Sequence, residues 1–304
     1  MRESRPALDF TGERFTPECV REIWYEHWHR YVFARQLAKG KRVLDAACGE
    51  GYGSALLADV AASVVGADIS EQAVAHARER YGDHPNLRFE RADATQLDVA
   101  AGSFDLIVSF ETLEHVEAQE SLVAGFARAL TDDGILVISS PDKKTYSDDR
   151  GFTNEFHVRE LYRDELLNLL RPHFPHLRLY GQKLLFQSAI WNLDGTPASA
   201  DAATSHGENQ TPAAGLAYDP LYFIAVCSRK PLGAGLADLA LFGDREESVY
   251  SHYNSEVRRN MTAGRRIAEL ESEVAALRAA AQRAATAAAP TSWWQRLFNG
   301  NRTR

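Results

Sequence analysis

Three acidic residues stand where short apolar segments of the chain end. Asp45, Asp68 and Asp93 each close a run that is rich in strand-forming residues. Carboxyl ends of parallel strands meet at one edge of a sheet, where such folds bind their ligands. The spacing therefore predicts three carboxylates around a common crevice.

A glycine-rich turn follows the first of these acids. Gly49, Gly51 and Gly53 permit a tight turn and close approach of a ligand, and the next helix begins with unpaired N–H groups. Ser54 stands where dinucleotide folds have their third glycine, and Glu50 would repel a pyrophosphate. No Gly-Lys-Ser/Thr of a P-loop follows the strand. A ligand with a zwitterionic amino-acid end and an adenosine end fits this turn better.

The second and third acids suit the adenosine end of such a ligand. Asp68 follows the turn by about twenty residues, so it can hold a ribose diol through two charge-assisted hydrogen bonds. Asp93 can accept a hydrogen bond from the exocyclic amine of adenine. The three acids together are a more specific signal than the turn alone.

The segment from Asp45 to Gly51 has the D-x-x-C-G-x-G motif, which resembles that of the class I S-adenosylmethionine-dependent methyltransferases. Asp68, Asp93 and the segment 104–116 match further motifs, and the resemblance covers about residues 40–230. It implies S-adenosylmethionine as the cofactor. It also implies cofactor contacts, to the methionine part, the ribose and the adenine, for Asp45, Cys48, Gly49, Gly51, Asp68, Ile69, Asp93, Ala94, Ser109, Phe110 and Glu111.

Strand and helix patterns alternate along the chain, which predicts an α/β fold with a Rossmann-like seven-stranded mixed sheet. The last two predicted strands, at about 177–190 and 221–229, have no long helix between them. We therefore expect an antiparallel hairpin at the sheet edge, as in the family.

We expect three regions. Residues 1–40 form an N-terminal helical cap, 41–230 the methyltransferase domain and 231–304 a helical, coiled-coil tail. The stretch 193–220 has little apolar content, which predicts a mobile loop or lid inserted in the domain.

A narrower resemblance concerns the methyl acceptor. Segments 12–18, 25–31, 140–143 and 154–161 look like those of methyltransferases from bacterial O-antigen and polysaccharide clusters. This implies a hydroxyl or terminal phosphate on a surface glycan or its lipid-linked precursor. Two alternatives stay open: a small-molecule enzyme acting on a quinone or secondary metabolite, and a non-catalytic cofactor-binding scaffold.

Two histidines are the candidate catalytic residues. Methyl transfer to a hydroxyl is an in-line displacement that benefits from positioning and from a general base. His115 and His157 follow the fourth and fifth strands, at the edge where ligands bind. Glu111 is a third candidate base, or a partner of the methionine amine. Each histidine could instead only pack its own loop, and no metal site is expected.

Composition restricts the partners and the compartment. The net charge of −8 argues against nucleic acid, because affinity there depends on neutralising phosphates. Three widely spaced cysteines indicate neither a disulfide framework nor a zinc site. No run of 18 apolar residues and no signal-peptide core occur, so we expect a cytoplasmic protein.

The C-terminal tail carries two separate signals. Ile267, Leu270, Val274 and Leu277 alternate at spacings of three and four, which favours a parallel homodimeric coiled coil over 249–283. The alternative is an amphipathic helix that docks on its own domain or stays solvated. The aromatic and basic segment 291–304 is typical of a helix that lies on an anionic lipid surface, here the inner membrane, or against a partner protein.

Overall fold

The computed structural model of the protein describes residues 22–190, 202–206, 211–233 and 235–287. The chain divides into two compact units, Met1–Gly243 and Asp244–Arg304. The elements of the first unit are α1 (Glu22–Ala38), β1 (Arg42–Ala46), α2 (Tyr52–Ala58), β2 (Ser63–Asp68), α3 (Glu71–Tyr81), β3 (Leu87–Arg91), β4 (Phe104–Ser109), α4 (Gln119–Ala129), β5 (Leu130–Pro141), α5 (Arg163–Leu170), β6 (His176–Gln182), β7 (Ala203–His206), β8 (Thr211–Ala214) and β9 (Tyr222–Ser228). The second unit contains α6 (Ser248–Ala287).

Seven strands form one mixed sheet in the order β3-β2-β1-β4-β5-β9-β6. The first five strands are parallel, and β9 runs antiparallel to both β5 and β6. The predicted Rossmann-like sheet with an antiparallel edge hairpin is confirmed. Strand β6 ends at Gln182 and not near residue 190, because its partner β9 begins opposite it, at Tyr222.

The central strands are buried on both faces by helices. Along β1, Val43 packs into one apolar cluster with Leu57 of α2, while Leu44 packs into the other with Phe126 of α4. Successive side chains of a strand point to opposite faces, so each strand joins two cores. This near-continuous apolar pattern is typical of parallel sheets covered on both sides. The burial of these strands holds in place their carboxyl ends, which carry the site.

Helix α1 and the segment after β9 are integral parts of this unit. Tyr31 and Ala34 of α1 are buried in the core beside the sheet. Leu232 and Leu236 pack against the same cluster, and the ring of Phe242 lies 5.5 Å from that of Trp24. The unit therefore extends past the predicted boundary at residue 230, because apolar side chains of this segment are covered by α1 and its neighbours.

The insertion predicted as a loop at 193–220 contains regular structure in its described part. Strands β7 and β8 form an antiparallel hairpin. The buried Thr204 hydroxyl donates to the carbonyl oxygen of Gly215 at 2.8 Å and accepts from the amide of Ala217 at 3.1 Å. These hydrogen bonds join the hairpin to the segment that follows it. The low apolar content of the sequence did not predict this contact.

Helix α6 is continuous over 40 residues and passes through Gly264 without a break. Within its own unit the side chains of Ile267, Leu270, Val274 and Leu277 are all exposed. Among the described residues, no helix is both long and apolar enough to cross a membrane. The segment 291–304, predicted to contact lipid, lies outside the described residues, as does the motif at 12–18.

Candidate functional site

Asp45 holds the glycine turn from inside the protein. Its side chain is fully buried at the end of β1. One carboxylate oxygen accepts from the Tyr31 hydroxyl at 3.0 Å, and the other accepts from the Ser54 hydroxyl at 2.6 Å. Asp45 thus ties β1 to α1 and to the first turn of α2. The carboxylate thereby supports the turn, and its predicted contact with the cofactor stays a prediction.

Burial raises the pKa of Asp45 from 3.8 to about 7, although hydrogen bonds from Ser54 and Tyr31 oppose the shift. The nearby Asp68 carboxylate raises it further. Because the folded-state pKa lies above the unfolded one, this contribution to stability is complete below about pH 3.8 and is lost as the pH rises through about 7. We expect Asp45→Asn to abolish this loss of unfolding free energy with rising pH, which is on the order of 4 kcal/mol. Urea unfolding at a series of pH values measures it.

A matched control exists at the half-buried carboxylate of Asp105. The hydrogen bond from Arg42 holds the pKa of Asp105 at about 2, below its usual value of 3.8. Its contribution is present above about pH 3.8 and is lost only as the pH falls through about 2. Asp105→Asn should therefore leave the dependence near neutral pH unchanged. An Asp45→Asn protein that keeps the wild-type pH dependence would show that Asp45 does not titrate as described.

The turn is built onto the end of β2. The amide of Cys48 donates to the carbonyl oxygen of Ala67, and that of Gly51 donates back to Cys48. The Asp68 carboxylate accepts from the amides of Gly49 and Ser70, both at 2.9 Å. The amides of Cys48, Gly49 and Gly51 are therefore used within the protein.

Asp68 and Ile69, predicted to contact the ribose and the adenine, are neighbours at the end of β2. Asp68 is 8% exposed, and each of its oxygens accepts one backbone hydrogen bond. A carboxylate has about four acceptor sites, so capacity for a diol remains. The apolar side chain of Ile69 is 62% exposed beside it. A planar base could cover such a side chain.

Asp93 lies close to this pair through the strand register. Asp68 pairs with Arg91, and the amide of Ala92 donates to the Asp68 carbonyl oxygen. One oxygen of Asp93 accepts from the amide and hydroxyl of Thr95, so the side chain caps the short 3-10 helix Ala94–Gln96. Its second oxygen accepts only a long bond of 3.3 Å from Gln96 among the described residues. That oxygen is the better acceptor for an adenine amine.

The end of β4 lies beside β1 and carries Ser109 and Phe110, both buried. The Phe110 ring meets that of Tyr31 edge to face, with centroids 5.0 Å apart. Glu111 follows with a φ of 50°. Its amide donates to the Ser139 hydroxyl at 2.9 Å, and that hydroxyl donates to the Glu111 carboxylate at 2.6 Å. This anchoring favours a fixed partner for a cationic group over a mobile base.

Sequence reasoning missed the arginine that completes this anchor. Arg30 is fully buried, with a terminal nitrogen 3.4 Å from the Glu111 carboxylate. Its Nε donates to the Gln182 side chain at 2.8 Å, and its guanidinium lies 4.5 Å from the centre of the Tyr222 ring. An arginine among aromatic residues of a helix gives no sequence signal of such burial.

The structure brings the two candidate catalytic histidines together. The rings of His115 and His157 lie 4.9 Å apart, edge to face. Nδ1 of His115 lies 3.1 Å from the carbonyl oxygen of Phe156, and Nδ1 of His157 lies 2.6 Å from the Glu160 carboxylate. Beside them is Glu114, a buried carboxyl that sequence reasoning did not single out. Its only sequence signal is its place between Glu111 and His115.

A separate cavity of about 950 Å³ lies within the same unit. Its walls include Glu26, Asp142, Tyr162, Gln182 and Phe223, which mix polar and apolar groups. None of the predicted cofactor residues lines it. It is therefore distinct from the crevice at the ends of β1, β2 and β3.

Comparison with known proteins agrees with this geometry. Residues 44–138 match a family described as a methyltransferase domain. A Mycobacterium tuberculosis protein named "Probable S-adenosylmethionine-dependent methyltransferase" is 39% identical over 170 residues, which are 55% of this chain and 61% of the relative. A ubiquinone biosynthesis O-methyltransferase of Thiobacillus denitrificans is 35% identical over 120 residues, 39% of this chain and 52% of the relative.

The chain thus spans less than two thirds of the length of these relatives. Among solved structures, a TehB-like SAM-dependent methyltransferase from Corynebacterium glutamicum is 20% identical, with 66% of this chain and 88% of that chain covered and a TM-score of 0.44. Over residues 44–138, which include β2 to β4, the chain has the sequence pattern of a methyltransferase domain.

Proposed function

We propose that the protein transfers a methyl group from S-adenosylmethionine to an acceptor. The observation that carries this proposal is the placement of Asp68. Its carboxylate is held by the amides of Gly49 and Ser70, next to the exposed Ile69 and near Asp93. A ribose diol and an adenine are the groups that such a set would recognise.

The methionine part of the cofactor would lie between the turn and Glu111. Since the amides of Cys48, Gly49 and Gly51 are used internally, the turn would hold an ammonium group through carbonyl oxygens. The Glu111 carboxylate, fixed by Ser139 and Arg30, offers the opposite charge to that ammonium group. The protein would thus hold the cofactor at both of its ends and so position the sulfonium. Positioning supplies much of the rate enhancement of a displacement reaction.

Calorimetric titration with S-adenosylmethionine tests this proposal directly. We expect one equivalent to bind per chain, and S-adenosylhomocysteine to compete with it. Absence of binding by the folded wild-type protein would refute the proposed function.

For the acceptor, we propose a hydroxyl or terminal phosphate of a bacterial surface glycan or its precursor. The resemblance of segments 140–143 and 154–161 supports it. A quinone is the second candidate, because a relative is named as a ubiquinone biosynthesis O-methyltransferase. Assays with methyl-labelled cofactor against lipid-linked sugars and demethylated quinones distinguish the two.

We further propose that the C-terminal tail joins two copies of the chain and contacts the inner membrane through 291–304. Supporting the dimer, β-branched Ile267 and Val274 alternate with Leu270 and Leu277 in heptad positions. A chain that ends at Gly243 should be a monomer by light scattering and should not sediment with anionic liposomes. The full chain should be a dimer and should sediment with them. Unchanged cofactor affinity of the shortened chain is the control for folding. A shortened chain that still dimerises would place the interface elsewhere.

A further inference from the structure

We propose that Glu114, His115 and His157 bind a divalent first-row transition-metal ion. This site departs from the sequence interpretation, which predicted no metal. Only its catalytic use rests on the proposed function; the binding of the ion does not.

The three side chains converge on one point. Each offers one ligand atom, and these atoms all lie within 4.8 Å of one another. Zn–N and Zn–O bonds are about 2.0–2.2 Å long, so tetrahedral ligands lie about 3.4 Å apart. Small rotations of the side chains would close that difference. Two imidazoles and one carboxylate favour ions such as Zn²⁺, Mn²⁺, Fe²⁺ or Co²⁺ over Mg²⁺ or Ca²⁺.

The outer contacts of both histidines are those of metal ligands. Metal-binding histidines commonly donate their second ring N–H to a carboxylate or a backbone carbonyl, which orients the ring. The Nδ1 atom of His115 contacts the carbonyl oxygen of Phe156, and that of His157 contacts the Glu160 carboxylate. The side chain of His157 is only 7% exposed, so its orientation is fixed by packing as well.

The carboxyl of Glu114 is buried beside the two histidines. Its side chain is 1% exposed, and neither oxygen has a hydrogen-bond partner among the residues that the structure describes. Leaving such a group unpaired costs free energy, and a cation at that point would offset the cost.

Three protein ligands leave at least one coordination position for the acceptor. A metal-bound hydroxyl has a lowered pKa, so it loses its proton to solvent more readily. The oxygen lone pair then forms the C–O bond while the C–S bond breaks. The electron pair of that bond returns to sulfur, which gives a methyl ether and S-adenosylhomocysteine. In this arrangement His115 and His157 are ligands instead of bases.

Titration of untagged, chelator-treated protein with Co²⁺ tests the site. We expect one equivalent to bind with the visible absorption of an imidazole-ligated ion, and Zn²⁺ to displace it. His157→Ala and the nearly isosteric Glu114→Gln should each weaken binding at least about tenfold, and Glu160→Gln about 10–100-fold. His176→Ala is the matched control. This exposed histidine begins β6, at the opposite edge of the sheet, and its loss should not change Co²⁺ affinity.

The outcomes separate the two proposals. Wild-type protein that binds no Co²⁺, or that binds it equally well after Glu114→Gln and His157→Ala, overturns the metal site. S-adenosylmethionine affinity of the metal-free protein is measured in parallel. Metal binding without cofactor binding refutes the proposed function and leaves the metal site standing.

Discussion

Asp68→Ala should lower the affinity for S-adenosylmethionine by roughly 100-fold or more. Two hydrogen bonds from a ribose diol to a carboxylate are each worth about 1.5–3 kcal/mol, and about 1.4 kcal/mol corresponds to a factor of ten. The substitution also removes the acceptor of the Gly49 amide, so the turn loses its link to the end of β2. Calorimetry or equilibrium dialysis with labelled cofactor measures the change.

Asp59→Ala is the control for this effect. Asp59 directly follows α2, at the sheet edge opposite the crevice, and its half-exposed carboxylate lies 3.8 Å from the guanidinium of Arg35. The Asp59→Ala variant should bind the cofactor as the wild type does. If Asp68→Ala folded normally and kept its affinity within a few-fold, the ribose contact would have to be assigned elsewhere.

Gly51→Ala should destabilise the fold by about 2–5 kcal/mol. Gly51 has a φ of 93°, a conformation that costs other residues about 1–2 kcal/mol. An added Cβ would also lie 2.8 Å from the Cβ of Ala77 and 2.9 Å from the ring of Phe89. Both neighbours are buried, so overpacking adds about 1–3 kcal/mol. The free energy of unfolding in urea measures the sum.

Gly40→Ala isolates the backbone part of that loss. Gly40 has a φ of 68°, but among the described residues, its chain neighbours aside, no atom lies within 4 Å of an added Cβ. The Gly40→Ala variant should therefore be destabilised only by the cost of the left-handed conformation, about 1–2 kcal/mol. Equal losses at the two glycines would mean that Ala77 and Phe89 move aside without cost.

The fold could be predicted because its signals are local. Short apolar segments with acids at their ends, interrupted by helical patterns, fix β1 to β5 and place Asp45, Asp68 and Asp93 at one edge. The edge hairpin of β6 and β9 followed from the lack of a long helix between them. These features depend on residues close in sequence.

The connections within the site depend on distant residues, so no local pattern revealed them. Arg30 reaches Gln182, and the carboxyl of Glu114 becomes buried only once the segment around His157 covers it. The hairpin of β7 and β8 was likewise missed, since a polar composition resembles that of a loop. Long-range packing decided each of these outcomes.

The contact between Arg30 and Gln182 also bears on how the chain folds during synthesis. The two residues are 152 positions apart, and Tyr222, whose ring faces the guanidinium, comes later still. A ribosome adds about 5–20 residues per second, so α1 would wait on the order of ten seconds for these partners. During that interval Arg30 keeps its water, whereas Tyr31 of the same helix can already pack against the ends of β1 and β4. Helix α1 therefore completes its packing only after β6 and β9 have been made.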